Sequence, residues 1–66
     1  MNTDFRTIVK KVTADDWVLV RTSGSHFQFK KKGVSKTVVI PNHGGRSISI
    51  GVLKQIETIT GLSLRG

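Results

Sequence analysis

The spacing of apolar residues changes twice along this chain, and that change limits its fold more than any other feature. Near the N-terminus, apolar residues recur at the i, i+3, i+4 and i+7 positions of one helical face: Phe5, Ile8, Val9 and Val12. In the middle, the segment His26–Lys30 alternates polar and apolar residues, as a half-buried strand does. The helical spacing returns near the C-terminus. We therefore expect an α+β fold with a helix at each end of a central sheet.

The ends of the two expected helices carry residues that are typical of helix caps. We expect the first helix over Thr3–Val12, with Thr3 as its N-cap. Ser49 is a natural N-cap for the second helix, and Gly61 is expected to end that helix in a left-handed conformation.

Three short segments between the helices favour strands, and glycine-containing turns separate them. The segments are Trp17–Arg21, His26–Lys30 and Thr37–Ile40. Since strand residues alternate between faces, Phe27 and Phe29 should face the core. His26, Gln28 and Lys30 should then share the opposite face. The expected fold is a helix, three antiparallel strands and a helix, with both helices on one face of the sheet, as in double-stranded-RNA-binding domains.

The size and charge of the chain limit its partners. A domain of 66 residues buries only about 60% of the surface of its unfolded chain, so we expect one domain, residues 1–66, that acts on an open surface. The net charge of +7 favours a polyanion such as nucleic acid, although a solubilising surface is an alternative. No apolar run approaches the roughly 20 residues that span a bilayer, and there is no cysteine, so we expect a cytoplasmic protein without a membrane partner.

The acidic residues and histidines do not favour metal-dependent chemistry. A two-metal nuclease needs convergent carboxylates, whereas the four here are dispersed: Asp4, Asp15, Asp16 and Glu57. His26 and His43, without cysteine, also make a poor zinc site. RNA supplies its own nucleophile, the 2′-hydroxyl, so one histidine and several cations can suffice for its cleavage. We expect no metal and no small-molecule cofactor.

His26 is the main candidate for acid–base chemistry. It follows Gly24 and Ser25 at the beginning of a strand, on the expected solvent face. An imidazole with its ordinary pKa of about 6.5 can give or take a proton at neutral pH. A surface histidine at the end of a hairpin is also common without any catalytic role, and the residues alone leave both interpretations open.

Two basic segments could hold phosphate, but both also have the composition of ordinary turns. The loop Pro41–Arg46 contains His43, two glycines and Arg46, and its backbone N–H groups could bind an anion. Two glycines more often only turn the chain before a helix. Lys30–Lys32 is likewise either a set of phosphate contacts or a solvated turn. Trp17 fits a core position better than a platform for stacking bases.

Three blocks of residues, in this order, resemble the HicA toxin family. They are Trp17–Arg21 with Gly24-Ser25-His26 and Phe29, then Val39-Ile40-Pro41 with His43, and finally Ile50–Leu53 with Ile56 and Gly61-Leu62. The resemblance covers nearly the whole chain. It departs from the family at Asp16, where Gly is usual, and at Lys31-Lys32, where a His-Pro pair is usual.

The resemblance implies a fold, an activity and partners. Members of the family have the helix, three strands, helix layout, cleave mRNA, and are held inactive by a HicB antitoxin. The resemblance assigns the catalytic role to His26, and mRNA and a HicB-type antitoxin are the expected partners. The residues expected to bind RNA are Gly24, Ser25, Gln28, Lys30, Lys31, Lys32, His43 and Arg46.

Two other classes of protein compete with this interpretation. A non-catalytic double-stranded-RNA-binding module would use Lys30–Lys36 and the N-terminus of the second helix on phosphates and 2′-hydroxyls. A small DNA-binding accessory protein is the third possibility.

Overall fold

The fold is a three-stranded antiparallel sheet with one helix before it and one after it in the chain. A computed structural model describes residues 3–42, 44 and 47–64. The elements are α1 (Phe5–Ala14), β1 (Val18–Ser23), β2 (His26–Lys30), β3 (Val38–Pro41) and α2 (Ile50–Thr60). The strands lie in the order β1-β2-β3, and both neighbouring pairs are antiparallel. The α+β class and the element order expected from the sequence are confirmed.

Both helices pack on the same face of the sheet. In β3, Val38 and Ile40 are fully buried, while Val39 between them is 42% exposed, so one face is covered and the other is open. The rings of Phe5 in α1 and Phe27 in β2 lie 4.8 Å apart between centroids. This arrangement agrees with the expected double-stranded-RNA-binding-domain architecture. The buried cluster consists of Ile8, Val12, Trp17, Phe29, Val38, Ile40, Ile48, Leu53, Ile56 and Leu64.

Two core residues lie just outside the regular elements. Trp17 precedes β1 and is 2% exposed, which confirms its assignment to the core rather than to a surface for stacking bases. Leu64 follows α2 and is fully buried. Its backbone N–H donates a hydrogen bond of 2.8 Å to Oε2 of Glu57, which fastens the segment after the helix to α2. As expected, α2 ends at Gly61, with a φ of 74° in the left-handed region.

The N-cap of α1 is Asp4, so the assignment of this role to Thr3 was wrong. Oδ1 of Asp4 accepts a hydrogen bond of 3.0 Å from the backbone N–H of Thr7. Hydrogen bonds from the Thr7 side chain and backbone lower the pKa of the Asp4 carboxyl, so a charged carboxylate lies at the positive end of the helix. Ser49 does occupy the N-cap position of α2, but its side chain makes no capping hydrogen bond.

Two strands also differ from their expected limits. β1 runs to Ser23 because its ladder with β2 continues until Ser23 pairs with His26. β3 extends through Pro41 because Pro41 pairs with His26 on the other side of β2. Both extensions lengthen the sheet at the end where His26 lies.

Candidate functional site

A two-residue turn places His26 at the beginning of β2. Ser23 and His26 pair directly, which leaves Gly24 and Ser25 to reverse the chain. Gly24 has a φ of 59°, in the left-handed region that favours glycine, and tight hairpin turns require such a residue. A Cβ at position 24 would meet no atom within 4 Å, so glycine serves the backbone conformation here and not a close contact. The turn therefore fixes the pairing that orients His26.

The open face of the sheet presents its side chains in rows across the strands. Residues that lie directly opposite each other on neighbouring strands share a face, so the strand register defines these rows. From the turn inward, the rows are Ser23, His26 and Pro41; then Arg21, Gln28 and Val39; then Val18 and Lys30. We call this surface the open face.

The three polar residues of β2 lie along a line on the open face. His26 and Lys30 are exposed and Gln28 is half-buried. A strand advances about 3.4 Å per residue, so neighbouring rows are about 7 Å apart and Lys30 is about 14 Å from His26. His26 and Lys30 are therefore too far apart to contact the same phosphate directly, but they can contact different phosphates of one bound strand.

The three consecutive lysines have different surroundings. Lys30 is exposed on the open face. Nζ of Lys31 forms an ion pair of 3.1 Å with Oδ2 of Asp15 at the end of α1, so its charge is partly neutralised. Lys32 is exposed in the turn that follows β2. Of the three, Lys30 shares the open face with His26, whereas Lys31 is paired with Asp15 at the end of α1.

The loop after β3 begins beside the hairpin turn. The backbone N–H of Asn42 donates a hydrogen bond of 2.7 Å to the carbonyl oxygen of Ser25. This bond joins the loop to the residue before His26. His43 and Arg46, which the sequence suggested as phosphate contacts, lie outside the described residues.

Arg21 lies on the open face and was missed by reasoning from the sequence. Regular alternation from the buried Trp17 would direct Leu19 and Arg21 toward the core. A β-bulge at Val20 changes the register between them, so Arg21 lies opposite Gln28 on the open face. One signal was available, because arginine is almost never fully buried, and an arginine at an inward position indicates an irregular strand.

The open face is basic. β1, β2 and β3 contain no acidic residue, and the four carboxylates lie on the helices or at their ends. Over residues 3–42, 44 and 47–64, no group of three or more His, Cys, Asp or Glu side chains is arranged to hold a metal ion. In the same part of the chain, no helix is long and apolar enough to cross a membrane.

The fold and this face define a class of small basic domains in which an open sheet surface carries cations and a histidine. The family model described as HicA toxin of bacterial toxin-antitoxin matches residues 5–62. The chain therefore belongs to the HicA toxin family and is a toxin of a toxin–antitoxin system. No curated protein matches the chain.

Proposed function

We propose that this toxin is an endoribonuclease that cleaves mRNA without a metal ion, and that His26 is its catalytic residue. The main support is one observation: an exposed imidazole at the end of a hairpin, on a sheet face that carries cations and no carboxylate. A polyanion can lie along such a face with one phosphodiester at the imidazole.

The proposed reaction uses the nucleophile that RNA itself carries. The 2′-oxygen attacks the adjacent phosphorus and the bond from phosphorus to the 5′-oxygen breaks, which gives a 2′,3′-cyclic phosphate and a 5′-hydroxyl. His26 takes the proton of the 2′-hydroxyl or supplies a proton to the leaving 5′-oxygen. Positioned acid–base catalysis of this kind contributes on the order of 10² to 10⁴ in rate.

Other candidates would hold the RNA. Lys30 would contact a neighbouring phosphate. Gln28, which lies between His26 and Lys30 on β2, would donate a hydrogen bond to the sugar–phosphate backbone of the RNA. Gly24 and Ser25, in the hairpin turn before β2, would contact the RNA next to His26. Lys32, in the turn after β2, would add a positive charge at the other end of the strand. We propose His43 and Arg46 as further contacts from the loop after β3, and Lys31 as a weaker one because it is paired with Asp15.

A HicB-type antitoxin would inhibit the toxin by covering the open face. Val18 and Val39 are 60% and 42% exposed on this face, where Val18 lies opposite Lys30 and Val39 lies opposite Gln28. A mixture of apolar and cationic groups suits a protein surface that carries apolar and acidic groups. The net charge of +7 would also speed association with an acidic partner. We expect His26 to be shielded from solvent in that complex.

Replacing His26 by alanine tests the proposed function. His26→Ala should lose on the order of 10² to 10⁴ in cleavage of labelled mRNA. Its stability should change by no more than about 0.5 kcal/mol, because the side chain is exposed. The measurements are cleavage in the presence of EDTA, identification of the product ends, and a thermal melt. The same replacement at the other histidine, His43→Ala, should lose less activity than His26→Ala, and a DNA of the same sequence should remain intact.

Three outcomes would contradict the proposal. Loss of wild-type activity in EDTA, or products with 3′-hydroxyl ends, would exclude the metal-free reaction through the 2′-oxygen. Full cleavage by a normally folded His26→Ala variant would remove His26 from the chemistry. Binding of double-stranded RNA by the wild-type protein without any cleavage would favour the non-catalytic binding module.

A further inference from the structure

We propose that Arg21 binds the same phosphodiester as His26 and stabilises the charge that develops on it during cleavage. This inference rests on the proposed function and extends it to a residue on another strand. The supporting observations are the bulge in β1, the position of Arg21 relative to His26, and the lack of acidic residues in the three strands.

The strand register places Arg21 and His26 on neighbouring strands and in adjacent rows. Arg21 pairs with Gln28, and Ser23 pairs with His26, so Arg21 and His26 are diagonal neighbours on the open face. Diagonal neighbours lie about 7–8 Å apart at their backbones, which is within reach of long side chains. A phosphodiester in contact with the imidazole is therefore also within reach of the guanidinium.

The bulge is the reason that Arg21 reaches this surface. Leu19 pairs with Phe29, a core residue that is 1% exposed, whereas Arg21, two residues later, pairs with Gln28 on the opposite face. The residue between them, Val20, is the extra residue of the bulge. Bulges often redirect a side chain next to a functional site. Here the redirected side chain is an arginine, and it arrives one row from the candidate catalytic histidine.

The surroundings leave the guanidinium available for an anion. Arg21 is exposed, and its strand and the two other strands contain no acidic residue. The carboxylate of Asp15 forms an ion pair with Lys31, and Asp4 and Glu57 lie at the N-cap of α1 and in α2. A guanidinium donates two parallel hydrogen bonds to a phosphate, which a lysine cannot do. A cation that is already in position stabilises developing charge without having to reorganise.

Lys30 does not fulfil this role, although it lies on the same face. It lies two rows from His26, about 14 Å away. The difference in distance assigns Arg21 to the phosphate that reacts and Lys30 to a neighbouring phosphate.

The test compares three variants in two assays. Arg21→Gln removes the charge. Arg21→Lys retains the charge but cannot donate the two parallel hydrogen bonds of a guanidinium. Arg6→Gln is the matched control. Arg6 is also exposed, but it lies on α1, on the other side of the sheet. The first assay is single-turnover cleavage of a labelled RNA. The second is binding of a 2′-O-methyl RNA, which lacks the nucleophile, at several salt concentrations.

We expect Arg21→Gln to lose roughly 10² to 10³ in cleavage rate, the usual effect of removing one group that stabilises transition-state charge. The slope of log K against log[salt] should become less steep by about 0.7, the value for one phosphate contact on a single strand. Arg21→Lys should recover the slope but little of the cleavage rate. Arg6→Gln should match the wild-type protein in both assays. A thermal melt checks that each variant is folded. If Arg21→Gln does not fold, the comparison of Arg21→Lys with the wild-type protein still tests the role of Arg21.

The two assays separate failure of this inference from failure of the proposed function. Equal salt slopes for Arg21→Gln and Arg6→Gln would overturn the role of Arg21, whether or not the protein cleaves RNA. A lower slope together with unimpaired cleavage would overturn its contact with the reacting phosphate. If the wild-type protein binds but does not cleave RNA, and Arg21→Gln lowers the slope, the nuclease proposal fails while Arg21 is retained as a phosphate contact.

Discussion

The two edge strands of the sheet, β1 and β3, lie in opposite environments. In β3, Val38 and Ile40 are fully buried beneath the helices, whereas every residue of β1 from Val18 to Ser23 is exposed. Both helices pack mainly on β3, so β1 extends beyond the part of the sheet that they cover. This difference separates two tasks. β3 holds the core together, and β1 can tolerate a bulge and present Arg21 because little of the core depends on its register.

Deleting one residue from each edge strand should give the largest contrast. Without Val39, regular alternation turns either Val38 or Ile40 to the solvent face, since strand side chains have a period of two. The loss of one large buried side chain should lower the free energy of unfolding by about 3 kcal/mol or more. Without Val20, the pairs on both sides of the bulge remain in register, so stability should change by no more than about 1 kcal/mol.

Urea unfolding of the two deletion variants measures this contrast. RNA cleavage by the variant without Val20 adds a second readout. Arg21 should still lie opposite Gln28, so this variant should remain active. Comparable destabilisation by the two deletions would mean that β1 is as essential to the core as β3, and the division of tasks would be wrong.

A pair of valines isolates burial from strand propensity. Threonine has nearly the shape of valine and is equally β-branched, so Val→Thr mainly introduces a hydroxyl. At Val38, which is fully buried, the hydroxyl should cost about 2 kcal/mol because it loses its water. At Val18, which is 60% exposed, the change should stay within about 0.5 kcal/mol. The midpoints of thermal or urea unfolding decide this, and equal shifts at the two positions would contradict the burial difference.

The sequence predicted the elements whose side chains repeat regularly. The helical spacing of Ile8 and Val12 and the alternation of Phe27 and Phe29 with polar neighbours each reflect one covered face, and the structure has those faces. The N-cap of α1 was predicted wrongly, because the side chains of both Thr3 and Asp4 can accept the capping hydrogen bond and the structure uses Asp4. Such a choice depends on local geometry that residue type alone does not fix.

The candidate site was predicted in part, for a physical reason. The face of His26 follows from local alternation within β2. The position of Arg21 depends on the bulge at Val20, which places Arg21 opposite Gln28, and the spacing of residues within β1 does not reveal which residue is the extra one. The ion pair of Lys31 with Asp15 joins residues that are distant in sequence, and spacing cannot predict such a contact. The roles of the site residues in RNA cleavage stay predictions.

The turns that lead into the two edge strands give the smallest expected effect. Asp16, before β1, has a φ of 69°, and Gly33, before β3, has a φ of 84°. Both lie in the left-handed region, which favours glycine, so the backbone of Asp16 is strained. Asp16→Gly should relieve that strain and raise the free energy of unfolding by about 0.5 kcal/mol, after the higher entropy of glycine in the unfolded chain is subtracted.

The reverse change at the other turn should act in the opposite direction. Gly33→Ala should lower the free energy of unfolding by about 1 kcal/mol. A Cβ at position 33 would meet no atom within 4 Å, so this loss would come from backbone conformation and not from a clash. Asp16→Asn is the control for charge: asparagine also tolerates the left-handed region, so stability should barely change. If Asp16→Gly destabilises the protein in urea unfolding while Asp16→Asn does not, the strain at Asp16 is smaller than the entropy that glycine adds. The exposed turn before β1 would then be as well adapted to its conformation as the turn before β3.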